Sequence, residues 1–410
     1  MKKGFRFSRA ACAVLLLTAG AAGAQQGISD GVVRIGLLLD MSGPYSDIGG
    51  AGSVLAARMA VEDFGGKVLG KPVEVVYADH QNKPDIASTK AREWFDTQKV
   101  DAITDVASSA TSIAVVNVGK DKNKPVLIAA AAGGSSRLTN EDCSNISIHW
   151  TYNTYTLASV TANALTKAGA DTWYFVTADY TFGQSLEQDT ADTVKAAGGK
   201  VLGSARHPLN ASDFSSYIVQ AQASQAKVIG LANAGTDTIS AIKEANAFGL
   251  GRSGKQSIAA LLMYISDVHA LGLKTAQGMV LTEGFYWDLD EKTRAWSKRF
   301  FERHKRMPTS AQAGEYSAVI HYLKSVEAAG TDGTQAVMAK MRELPVNDGV
   351  FTGEGWIRPD GAMVHPMYLA QVKKPGESKY PWDYLHIKAK VPADQAFQPL
   401  SASKCTLVKK

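Results

Sequence analysis

The most restrictive feature of this sequence is the order of residues within 33–52: an apolar run, a polar turn, then glycines opening a second apolar pattern. Val33, Ile35, Leu37, Leu38 and Leu39 are nearly continuous, which suits a strand covered on both faces in a parallel sheet. Ser42, Gly43 and Pro44 make a turn, and Tyr45 places an aromatic ring in it. Beyond Gly50 and Gly52, residues Val54, Ala57, Val61 and Phe64 fall on one helical stripe. A polar loop thus lies at the carboxyl end of a buried strand, where open α/β sheets take their ligands.

The same order recurs down the chain. Residues 73–77 read as a second strand ending at Asp79, and Pro84 opens a helix with Ala87, Ala91 and Trp94 on one face. A third strand, 100–106, runs into Ala107, Ser108, Ser109, Ala110, Thr111 and Ser112. A fourth, 126–132, runs into Gly133, Gly134, Ser135 and Ser136. Turn-making accounts for any one such loop. Three in succession offer glycine backbone, hydroxyls and helix-start amides, the chemistry that receives a carboxylate or phosphate.

Residues 149–155 are aromatic and polar without a period, and mark a first crossing between domains. Strands then follow at 173–177, 200–205, 227–232 and 258–263. Their ends carry Asp179, Tyr180 and Phe182, then Asn233, Ala234 and Asp237, then Tyr264. Residues 279–282 lead back toward the first domain, with 283–287 as a second crossing. Helical patterns at 291–304, 312–329 and 334–344 precede two segments, 351–356 and 364–372, that read as a hairpin about Arg358, Pro359, Asp360 and Gly361. A third crossing at 344–352 puts this hairpin with the second domain. Disorder is expected in the leader and the tail after Pro392.

Lys2, Lys3, Arg6 and Arg9 precede a short apolar run that ends at Ala22, Gly23 and Ala24, the form of a cleaved secretory signal over 1–24. An uncleaved anchor is the alternative, although the run is too short for a bilayer of about 30 Å. Loss of those four cations takes the formal charge from +5 to +1, so the basic whole-chain balance is no argument for nucleic acid. The remainder of the 410 residues is enough for two domains. Of three cysteines, Cys12 falls in the signal, and Cys143 and Cys405 are left as a disulfide or as two buried thiols.

Catalytic signatures are missing. There is no phosphate-binding Gly-x-x-x-x-Gly-Lys-Ser/Thr loop, and no strand-to-helix turn carries a Gly-x-Ser-x-Gly elbow. Leu55 stands where a dinucleotide fingerprint needs its third glycine. The eight histidines are scattered, without metal-ligand spacing. A hydrolase stays open only because a triad can assemble from distant loops.

Read together and in order, Ile35 and Gly36 with Met41 to Pro44, Ser108 and Ser109, Gly133 to Ser136 with Leu138 and Thr139, Tyr180 to Gly183, Asn233 to Thr236, and Gly355, Trp356, Asp360 and Gly361 carry a resemblance. The chain resembles periplasmic solute-binding proteins of the branched-chain amino acid type, the receptors of ATP-driven importers. The resemblance implies an α/β fold of two Rossmann-like lobes, each a parallel-rich sheet flanked by helices, joined by three crossovers. Lobe boundaries are expected at 28–151 plus 284–348 and 152–283 plus 349–392, with a tail at 393–410.

It also implies a periplasmic, monomeric binding protein rather than an enzyme, with no cofactor and no nucleic acid. Its partners would be a small carboxylate ligand and the permease and ATPase of an inner-membrane importer; a receptor lobe for a signalling partner is the alternative. The ligand carboxylate is expected at Ser108, Ser109, Gly133, Gly134 and Ser135, opposite Phe182, Ala234 and Tyr264. Tyr45, Tyr152, Tyr155, Tyr180, Phe285 and Tyr286 are placed at the cleft or its rim. Amino-acid binders hold the ammonium with an acid near Tyr264, where this chain has Leu262, Met263, Tyr264 and Ile265. Asp179 or Asp237 is left for that role, and an aromatic or branched carboxylic acid competes with leucine-like ligands.

Overall fold

The computed structural model describes residues 1, 27–129, 133–250 and 256–409. The signal segment and the end of the fourth expected strand, at 130–132, lie outside the described residues, apart from Met1. No helix among the described residues is long and apolar enough to cross a membrane.

The chain begins with β1 (Val33–Leu39), α1 (Gly50–Asp63), β2 (Lys67–Val68), β3 (Lys71–Asp79), α2 (Pro84–Asp96), β4 (Ala102–Asp105), α3 (Ser109–Lys122), β5 (Val126–Ile128) and β6 (Ser147–His149). These strands form one sheet in the order β2-β3-β1-β4-β5-β6, parallel except at β2. β1 is central and reads as apolar because both its faces are covered. Ile35, Leu37 and Leu39 pack with Met59 and Ala60, while Leu38 points to the other side with Trp94, Phe95 and Ile103. Each such leucine contributes about 2 kcal/mol by leaving water. Gly36 belongs to the α2 side, where a Cβ would lie 2.6 Å from the Trp94 ring, so the indole packs directly on the strand.

A second run follows: α4 (Thr154–Lys167), β7 (Thr172–Ala178), α5 (Thr181–Ala196), β8 (Lys200–His207), α6 (Ser215–Ala223), β9 (Val228–Ala232), α7 (Thr236–Ala247), β10 (Ser257–Ala260), and the short α8 (Ile265–Leu271) and α9 (Leu273–Ala276). Its strands make a parallel sheet ordered β10-β9-β7-β8. The remainder comprises β11 (Val280–Glu283), α10 (Glu291–His304), α11 (Ser310–Ala329), α12 (Thr334–Glu343), β12 (Trp356–Ile357), β13 (Met363–Val364), β14 (Met367–Val372), β15 (Leu385–Val391) and α13 (Ala393–Ala396). Capping boxes start α10 at Asp290 and Thr293 and α11 at Thr309 and Gln312.

Several expectations need correction. The hairpin is only the two-residue pair β12 and β13, and β13 is followed by a strand that joins a different sheet, β11-β14-β15. Segment 279–282, expected to leave the second domain, forms β11 and pairs antiparallel with β14. Neither β6 nor β15 was expected. The tail after Pro392 is built rather than disordered: α13 packs on α4, and a disulfide joins Cys405 to Cys143, with Cα atoms 5.7 Å apart. Asn140 Nδ2 donates to Gln398 Oε1 at 2.9 Å, and the Lys404 amide donates to Asn140 Oδ1 at 2.8 Å.

Candidate functional site

In each sheet the chain leaves a central strand in both directions, β1 toward β3 and β4, and β7 toward β8 and β9. Ligands of open α/β sheets bind outside the carboxyl ends of strands at such a switch point. The loops concerned are those after β1, β4, β7 and β9, and here they meet. Tyr45, after β1, joins its hydroxyl to that of Tyr180, after β7. The Thr236 amide at the start of α7 donates to Pro44 O at 3.3 Å. Gly235 makes this approach possible: its φ is 61°, and a Cβ would lie 2.2 Å from Pro44 O.

The first loop is folded by Asp40, whose carboxylate accepts from the amides of Gly43 at 2.6 Å and Tyr45 at 2.9 Å and from Asn82 Nδ2 at 2.7 Å. Those bonds aim Tyr45 toward the second lobe, where it packs in one apolar cluster with Ile48, Tyr152, Phe182, Ala234 and Tyr264. The hydroxyls of Tyr152 and Tyr264 also bond to each other. Burial pushes the phenols of Tyr45, Tyr180 and Tyr264 above their ordinary range, so they remain neutral donors.

The serine loops converge from the other side. Ser109 Oγ accepts from the Ser135 amide at 3.0 Å, tying the loop after β4 to the one after β5. Ser108, with φ 71°, caps α3, and its carbonyl accepts from the Ser112 amide at 2.9 Å. Gly133 and Gly134 are buried; a Cβ on Gly134 would lie 2.8 Å from the Tyr152 ring and 3.3 Å from that of Phe182. Ser135 Oγ meets Ser185 Oγ of α5 at 2.7 Å, a second polar contact between the lobes.

Ser108, Ser109, Gly133, Gly134, Ser135, Tyr45, Tyr180, Phe182, Ala234 and Tyr264 are thus brought to the facing loops. Three expected residues are used otherwise. Asp237 Oδ2 accepts from the Asn210 amide at 3.0 Å beside His207, with burial raising its carboxyl to about 6, so it holds the turn after β8. Phe285 packs edge-on against Trp296 at 6.0 Å, in the core shared with Tyr286 and Phe300. Tyr155 lies half-buried on the first turn of α4, outside the tyrosine cluster. Asp179, the other candidate for an ammonium, is exposed and bonds Gln184 and Arg206. Sequence reasoning missed Asp40, Asn82 and Ser185; an acid at a strand end three residues before a Gly-Pro turn was the available signal for Asp40.

Two parallel sheets with apposed strand ends, linked by three passages of chain, define the type I periplasmic binding fold. The sequence pattern of the periplasmic binding protein family matches residues 32–377, and the chain belongs to that family, the ligand-binding components of ABC transporters of the branched-chain amino acid type.

A periplasmic binding protein from Burkholderia mallei is 51% identical, with a TM-score of 0.90, over 93% of this chain and 100% of that one. A branched-chain amino acid ABC transporter periplasmic ligand-binding protein from Burkholderia xenovorans LB400 is 40% identical, with a TM-score of 0.82, over 92% of this chain and 100% of that one. A solute-binding protein from R. palustris, in complex with benzoate, shares the fold at 19% identity and a TM-score of 0.79, over 92% and 100% of the two chains. The Leu/Ile/Val-binding protein homolog 4 of Brucella abortus (strain 2308) is 24% identical over 257 residues, and the match spans 60% of each chain.

Proposed function

We propose that this protein closes its two lobes around a small carboxylate and presents it to the permease and ATPase of an inner-membrane importer. The observation that carries the reading is the meeting of the Ser108, Ser109 and Ser135 loops with a cluster of buried tyrosines from the other lobe. Serine hydroxyls and helix-start amides suit the carboxylate, and the rings of Tyr45, Tyr152, Phe182 and Tyr264 suit an apolar body. Asp179 and Asp237, the two acids the sequence offers for an ammonium, are both engaged elsewhere. That favours an aromatic or branched carboxylic acid over an amino acid, in keeping with the benzoate of the R. palustris protein.

Covering about 150 Å² of apolar ligand surface gives roughly 4 kcal/mol. Two or three charge-assisted hydrogen bonds add about 1.5–3 kcal/mol each. After ordering costs, micromolar affinity is within reach. The protein acts as a monomer in the periplasm after removal of residues 1–24. Its lobes comprise 28–151 plus 284–364, and 152–283 plus β14, β15 and α13, with the third passage moved from 344–352 to the residues after β13. The amide of His149 donates to Gly361 O at 2.8 Å, which sets the small hairpin beside β6. Titration calorimetry with benzoate, 4-hydroxybenzoate and L-leucine tests the ligand class. Saturable binding of the benzoates is expected; binding of leucine alone would overturn the reading.

A further inference from the structure

Beneath the loop joining β4 to α3, two carboxyl groups are buried near each other without a cation. Asp105, the last residue of β4, and Glu315, on α11, are 1% and 0% exposed. Glu315 Oε2 accepts from the Thr104 hydroxyl at 2.7 Å, and the Asp105 amide also faces this carboxyl. Glu315 Oε1 has no hydrogen-bond partner among the described residues, and the only polar side chain facing the Asp105 carboxyl is the Ser53 hydroxyl. The surrounding elements supply only uncharged groups here: Ser53 and Gly49 at α1, Thr104 on β4 and Gln312 on α11. No lysine, arginine or histidine among the described residues acts on either carboxyl.

Two ionised carboxylates this close, dry and without a cation, repel each other with little screening, so one of them keeps its proton. Burial raises Asp105 to about 7, and burial with repulsion from Asp105 raises Glu315 well above its ordinary value. The backbone directly above is strained: φ is 65° at Asp105, 59° at Val106 and 71° at Ser108, all left-handed at residues with side chains. Such conformations persist only where their surroundings over-determine them. The Val106 amide is held by Leu38 O at 3.0 Å and the Val106 carbonyl by the Ser112 hydroxyl at 2.8 Å. Ser108 O accepts from the Thr111 hydroxyl at 2.7 Å and Ser109 Oγ from the Ser135 amide at 3.0 Å, while the base of the loop rests on the side chain of Asp105.

We propose that Asp105 and Glu315 hold one proton between them, and that this singly charged buried pair positions the 106–109 loop to receive its ligand. The second half of that statement rests on the carboxylate site proposed above; the first does not. The two are positioning residues. Loss of the shared proton puts two negative charges under the loop, loosens it and weakens its grip on an anion.

The test has a ligand-free and a ligand-bound arm. Hydrogen exchange of the 106–112 amides, corrected for intrinsic rates, is measured from about pH 6 to about pH 9, and 4-hydroxybenzoate affinity is measured over the same range. Wild-type protection and affinity should both fall above the titration, affinity by up to about tenfold per pH unit. Glu315→Gln, with Asp105→Asn as a second neutral variant, should match wild type at the acid end and stay flat. Glu315→Ala should lose protection at every pH. A wild-type loop indifferent to pH, or a Glu315→Gln slope equal to that of wild type, would overturn the proposal. If protection follows pH as expected while 4-hydroxybenzoate fails to bind, the ligand reading falls and the shared proton stands. If the ligand binds and neither quantity depends on pH, the reverse holds.

Discussion

Replacing Cys143 and Cys405 together by serine should lower the thermal midpoint of the protein by about 7 °C. The cysteines are 262 positions apart, and a cross-link closing a loop of that length removes about 5.6 kcal/mol of unfolded-chain entropy. A chain of this length unfolds with an entropy of roughly 0.8 kcal/mol/K, and the quotient of the two is the shift. The folded state should change little, because the tail keeps its other anchors. Asn140 still holds Gln398 and the Lys404 amide, and Arg358 Nη1 still donates to Gln398 O at 2.7 Å. Scanning calorimetry of the wild type and the double-serine variant, each with and without a thiol reductant, reads the effect. Reductant should move only the wild type. A fall of less than about 2 °C in the variant would refute the assignment of this bridge to unfolded-chain entropy.

Gly235→Ala places a methyl against Pro44 O in a left-handed backbone, which costs about 1–2 kcal/mol. Calorimetry should show at least about tenfold weaker benzoate binding, because the lobes can no longer meet there. Ser109→Ala removes the acceptor of the buried Ser135 amide, worth about 1–3 kcal/mol, and should weaken binding by roughly 10- to 100-fold. If Ser109→Ala and Tyr264→Ala both leave affinity unchanged, the proposed site is misplaced. Burial lifts Asp267 to about 7 and Glu283 to about 8. A carboxyl whose folded value lies above its unfolded one holds its proton in the fold after the unfolded chain has lost it. Stability should therefore fall as pH rises from the ordinary carboxylate range toward about 8. A thermal midpoint that rises between about pH 6.5 and about pH 8 would contradict this; Glu283→Gln should reduce the fall.

What the sequence discloses and what it withholds divide along a physical line. β1 could be read because burial on both faces demands an unbroken apolar run, and Val33 to Leu39 provides one. The loops at Ser109 and Ser135 could be read because small residues at consecutive strand ends have few other uses. β15 escaped because Leu385, Ile387, Ala389 and Val391 alternate with His386, Lys388 and Lys390 on a strand paired along one edge only, a pattern weak beside that of a buried strand. β6 is three residues long and gains its place from β5 and from the Gly361 turn, more than 200 positions away. Asp237 and Phe285 were expected to face the cleft and take other partners, since a side chain's direction depends on which distant amide or ring reaches it first. Asn210 takes the one and Trp296 the other. The same dependence hides Asp105 and Glu315: either alone reads as an ordinary surface acid, and only the packing of α11 across the end of β4 buries the two together under the loop proposed to hold the ligand.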